Sequence, residues 1–234
     1  MGVEPINKVW AVFLLPHQLH QGSRVEVDHQ RSSSLIAASS EAALTVGSSG
    51  CARHTPSAGF WYSDKAFTLP GHAAATLGGR LTDRELASIE AVSRSEVQRA
   101  FDGLNIRVND DPSAFWRVGV VESLPRRGPL PNAGESMPLG WMGGVGAVSF
   151  ELVALKAIQY APDGASRQAI VEAIGRGIGH VAVHEFAHQI LNTSAVHNKE
   201  DEQSYEYPSP DRSAQYYGDL HWTTARPFLE QKLR

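Results

Sequence analysis

The stretch VAVHEFAHQILN, residues 181–192, limits what this chain can fold into more than any other, because it sets two histidines and a glutamate in an otherwise apolar run. Asp163-Gly164 reads as a turn and Ser166 as the N-cap of a helix that continues to about Asn192. On that helix His184 and His188 stand four residues apart, so their imidazoles lie one turn apart on a single face and can reach one ion. Glu185 is rotated by roughly 100° from His184, which sets it beside such an ion as a base and not as a ligand. Two imidazoles and a carboxylate buried without a metal would leave polar groups in need of partners. His-Glu-x-x-His therefore points to a metal-activated hydrolase. Zinc is the expected cofactor, since it brings the pKa of its water to about 7 and polarises a carbonyl.

A catalytic zinc takes three protein ligands and keeps one position open. His197, beyond the turn Asn192-Thr193-Ser194, is the first candidate for the third ligand. Asp201, Glu202, Glu206 and His221 compete with it. His180 shares the face of His184 one turn earlier, but three successive turns of a straight helix do not converge on one tetrahedral ion. It reads as a polar residue of the cleft floor or a partner of a ligand. IGRGIGH (174–180) alternates glycines without the Lys-Ser/Thr of a phosphate loop, and reads as close packing against a sheet. Tyr205, Tyr207, Tyr216 and Tyr217 follow, each able to offer a hydroxyl to a developing oxyanion.

Elsewhere, LTDRELASIEAVSRSEVQRAF opens with a capping box, Thr82 and Glu85, and keeps Leu86, Ile89, Val92, Val97, Ala100 and Phe101 in helical period. NIRVND (105–110) and WRVGVVES (116–123) read as strands around the turn DDPSA. LPRRGPLPNAGESMPLGWMGG (124–144), with its prolines and glycines, reads as a long functional loop without a regular element. VGAVSFELVAL reads as a further strand, GDLHWTTARPFLEQKLR as a closing short helix, and residues 21–80, rich in Ser, Ala and Gly, as loops and short elements over a core built elsewhere.

This order, with HEFAH on its helix, a later histidine and the tight segment SYEYPSP, resembles the metzincin clan of zinc metallopeptidases over residues 82–210. The resemblance implies an α+β fold: a twisted mixed sheet packed on the long capped helix and on the HExxH helix, with an irregular C-terminal subdomain. It implies that His184, His188 and His197 bind Zn2+ and that Glu185 is the general base. It also implies that an edge strand, GAVSFEL, borders the cleft and pairs with an extended polypeptide substrate. The chain departs from the clan's HExxHxxGxxH pattern, carrying Leu191 and Ser194 where glycine and the third histidine stand. It has Glu206-Tyr207-Pro208 in the place of the clan's methionine turn. The expected organisation is one domain, 1–234, with an N-terminal strand and loop-rich cover (1–80), an upper catalytic part (81–192) and a lower part (193–234).

A net charge of -4 and a pI near 6.2 give no general reason to expect nucleic acid as a partner. Cys51 is the single cysteine, so intrachain disulfides and cysteine zinc clusters are excluded. It reads as a plain thiol, since Cys51-Ala-Arg-His54 does not match the inhibitory segment of latent clan members. The apolar run Val9–Leu15 suits a buried strand better than a signal peptide, because Glu4 precedes it and no small-residue cleavage site follows. No stretch reaches the ~18 apolar residues of a membrane span, and the chain reads as cytoplasmic. The expected activity is a zinc endopeptidase. The alternatives are an inactive binding module with structural zinc and a metal-dependent hydrolase of non-protein amides.

Overall fold

A computed structural model describes residues 55–125, 132–193 and 196–234. The expected strand Val9–Leu15, and Cys51 with His54, lie outside the described residues. Among these residues five strands form one sheet: β1 (Ser57–Tyr62), β2 (Arg107–Asn109), β3 (Trp116–Val121), β4 (Gly134–Pro138) and β5 (Gly144–Ser149), in the order β2-β1-β3-β5-β4. All neighbours run parallel except β4, which pairs antiparallel with β5 at the sheet edge. The fold is thus α+β with a mixed sheet.

Among the described residues six α-helices accompany it: α1 (Gly71–Thr76), α2 (Asp83–Ala100), α3 (Phe150–Gln159), α4 (Arg167–Leu191), α5 (Ala214–Tyr217) and α6 (Arg226–Lys232). The capping box forms as the sequence predicts, with Glu85 N–H donating to Thr82 Oγ1 and Thr82 N–H to Glu85 Oε2. The same glutamate pairs with Arg167 at 2.5 Å, which joins the starts of α2 and α4. Inward-facing Phe60, Val118, Val120 and Val148 meet Ile89, Val97, Ile178 and Phe186 in a core that runs from Ala58 to Leu233. Full burial of such side chains contributes about 1.5–3 kcal/mol each, so α4 is fixed along its length.

Four expectations change. Residues 57–62 are not a cover: β1 is an interior strand with Ala58 and Phe60 at 0% exposure. The loop 124–144 does contain regular structure, because Gly134–Pro138 gains main-chain partners on β5, and Pro138 is tolerated at the end of an edge strand. GAVSFEL is not the edge. It divides at Ser149, whose Oγ accepts from Leu152 N–H and starts α3, so β5 lies inside the sheet between β3 and β4. The glycines of IGRGIGH meet no strand: a Cβ on Gly175 would lie 2.8 Å from Ile89 O, and one on Gly179 2.8 Å from Ser93 O. Gly175 and Gly179 bring α4 close to α2, and Gly177 lies against Tyr216 of α5 and Val153 of α3.

Candidate metal centre

Helix α4 begins at Ser166, whose hydroxyl accepts from Ala169 N–H, and ends at Asn192, which takes the left-handed conformation (φ 53). Asparagine tolerates that turn better than most residues, and there the chain folds back over the last turn of the helix. One consequence is chemical. Thr193 O accepts a 2.8 Å hydrogen bond from His188 Nδ1, while Tyr205 O accepts one of 2.7 Å from His184 Nδ1. A carbonyl oxygen only accepts, so both Nδ1 atoms carry the proton, and both Nε2 atoms are left with lone pairs.

Those two Nε2 atoms face each other at 3.1 Å. Two lone pairs at this distance repel unless a cation lies between them. Two nitrogens bound to one zinc at about 2.0–2.1 Å would stand roughly 3.3 Å apart in a tetrahedron. His197 completes the group: its ring stacks on His184 at 5.2 Å and meets His188 edge-on at 5.2 Å, and ligand atoms of the three lie within 4.8 Å of one another. Burial holds His184 down to about 3, helped by the neighbouring His188, and burial lowers His188 and His197 as well. Near neutral pH the cluster is a set of lone pairs without a proton, which fits a divalent metal held by nitrogen.

Glu185 lies beside this group, 6% exposed. Its carboxyl is pushed up to about 8, first by burial and then by the charge of Glu135 on β4. The edge strand passes very close: a Cβ on Gly134 would sit 2.3 Å from Glu185 Oε1, so only glycine leaves room for the carboxylate. Ser136 Oγ donates to Glu185 O at 3.2 Å and ties β4 to the helix. A cavity of about 530 Å³ opens here, lined by Gly134, Glu135, Ser136 and Pro138 of β4, by Tyr205 and residues 207–211, and by Leu152 and Lys156 of α3.

The competing ligands are engaged elsewhere. Glu206 is fully buried and accepts from the N–H groups of Thr223, Thr224 and Ala225 and from both threonine hydroxyls, a set of donors that lowers its pKa against the burial that would raise it. Asp201 pairs with His221 at 2.9 Å, and Glu202 is exposed. His180 lines the cavity but turns to Gln215 O (2.9 Å) and Glu96 (3.4 Å), as suits a polar residue of the floor. Of the four tyrosines, Tyr205 and Tyr207 line the cavity; Tyr217 is engaged with Ala157 O and Tyr216 is buried in the core.

Sequence reasoning missed Gly134, Glu135 and Ser136, because a short polar segment shows no strand period until β5 pairs with it. It also missed the carbonyls of Thr193 and Tyr205, since a main-chain acceptor leaves no mark in a sequence. No family model, curated protein or solved structure matches this chain.

Proposed function

We propose that the protein is a zinc-dependent metalloendopeptidase of divergent metzincin-like fold. The observation that carries this reading is the facing pair of unprotonated Nε2 atoms on His184 and His188, with His197 against both rings and Glu185 beside them. His184, His188 and His197 would hold the metal. What zinc supplies when bound is Lewis acidity, which brings a water to a pKa near 7 and polarises a carbonyl. Among the described residues the group stops at three ligands, which favours the open site of a catalyst over the closed set of a structural zinc.

The chain's own residues do the rest. Glu185, beside the histidine group and lining the cleft, is placed to take a proton from the attacking water and deliver it to the leaving amine. The carbonyls of Thr193 and Tyr205 keep the ligand histidines in the correct tautomer and orientation. Among the described residues strand β4 pairs with β5 on one side only, and Gly134, Glu135, Ser136 and Pro138 line the cleft, so an extended polypeptide can add to the sheet there. The strand edge along the cleft favours a peptide over a small amide.

The test is a cleavage screen on a diverse peptide mixture, with zinc-loaded wild type and Glu185→Gln. Cleavage by wild type alone is the expected result. Hydrolysis of small amides without any peptide cleavage would transfer the site to the non-protein reading.

A further inference from the structure

HEFAH is followed immediately by Gln189, a polar side chain only 1% exposed that has no place in the metal group or the cleft. Its amide makes a two-point bridge to one residue of the sheet. Oε1 accepts from Arg117 N–H at 3.0 Å, and Nε2 donates to Arg117 O at 3.1 Å. The side chain reaches β3 because β5 offers a slot without side chains. A Cβ on Gly144 would fall 2.4 Å from Gln189 Cγ, and one on Gly146 2.8 Å from Gln189 Nε2. These glycines stand in register with Trp116 and Val118, on either side of Arg117. The two glycines of β5 are thereby explained by the side chain that lies across them.

The position of the bridge matters. Gln189 follows His188 by one residue and Glu185 by four, so it shares the sheet-facing side of the helix with Glu185. Apolar contacts alone permit a helix to slide or roll on a sheet by fractions of an ångström, whereas a two-point hydrogen bond to one main-chain residue fixes both depth and register. Through β5 the same register extends to β4, where Gly134 clears the Glu185 carboxylate and Ser136 bonds to Glu185 O.

We propose that Gln189 is a positioning residue: its bridge to Arg117 sets the HEFAH turn against the sheet so that the histidine group and Glu185 hold their place relative to the cleft strand β4. The inference rests on the metallopeptidase reading for its catalytic consequence, though not for its geometric one.

The test compares wild type with Gln189→Met, which keeps the length and volume of the side chain and removes both hydrogen bonds, at a temperature well below each protein's unfolding midpoint. Two signals are read: the visible d–d spectrum of the cobalt(II)-loaded protein, which reports the geometry of the ligand set, and kcat and KM on a cleaved peptide. Expected are altered cobalt bands and a fall in kcat of about ten- to a hundredfold, as small displacements of catalytic groups produce. An unchanged spectrum and unchanged kcat, with only a lower midpoint, would overturn the proposal and leave Gln189 as packing. If wild type cleaves no peptide yet the cobalt spectrum shifts, the peptidase reading falls and the positioning role stands. Should Gln189→Met not fold, Gly146→Ala presses on the amide from the strand side, and the same two signals decide.

Discussion

The cleft around Glu185 and the turn around Glu206 each bury a glutamate, and they treat it in opposite ways. Glu206 accepts from three main-chain N–H groups and two hydroxyls, which keep it ionised and pin residues 223–225 at the start of α6. Glu185 accepts no hydrogen bond on its carboxylate among the described residues, and burial beside Glu135 pushes it up to about 8. A fully satisfied buried carboxylate is a clamp. One left without donors is costly to the fold and persists where its proton is useful, which is why perturbed groups gather at functional sites. The two regions are joined: Tyr205, whose carbonyl orients His184, immediately precedes Glu206.

Exchanging the two roles should therefore fail in different assays. Glu185→Gln is expected to lower peptide cleavage by about 10²–10⁴-fold, the usual worth of a general base, with no loss of thermal stability; a matching fall in the unfolding midpoint would make Glu185 structural. Glu206→Ala, in contrast, leaves five donors without their acceptor and is expected to cost about 3–5 kcal/mol in urea unfolding. Little change there would remove the clamp from the account.

On the metal side, His197→Ala is expected to weaken zinc by more than the roughly 10–100-fold that loss of an outer-shell partner costs, measured by competition with a chromophoric chelator. Because burial lowers the histidines from their ordinary value of 6.5, zinc is expected to stay bound as pH falls to that value and to be released only below it.

A pH series sharpens the same contrast. Glu185 is raised from 4.5 to about 8, so the unfolded chain gives up this proton first, and folding of the metal-free protein weakens as pH rises across that window. Between 6.5 and 8 the unfolded histidines are already mostly neutral, so Glu185→Gln should flatten the slope there. Glu206, lowered from 4.5, stabilises the fold above that value and loses its contribution as pH falls below it. The smallest expected effect is Ser136→Ala, about 0.5–1.5 kcal/mol for the bond to Glu185 O, read as a modest loss of stability and a rise in KM.

How much of this was legible in the sequence follows from where the information lies. Caps and periodic faces are local, so the capping box at Thr82 and Glu85, and helix α4 from Ser166 to Asn192, could be read directly. So could the pairing of His184 and His188, which helical geometry fixes, whereas the sequence left His197 first among five candidates and only the fold brings it to the other two. Strand β4 could not, since Gly134-Glu-Ser-Met-Pro138 becomes a strand only by pairing with β5. Nor could the break at Ser149 be seen within an apolar run whose strand and helix parts differ by one cap. Glu206 invited reading as a metal ligand because its residue type suits a metal; only the fold brings Thr223, Thr224 and Ala225 around it.

The proposed centre is three histidines that would hold a metal beside an unclamped glutamate. An anomalous difference map at the zinc absorption edge, on crystals of protein purified without chelator, tests it most directly. One strong peak bound by His184, His188 and His197 is expected, with no fourth protein ligand and with Glu185 close by. No peak at this group, or a peak closed by four protein ligands, would contradict it.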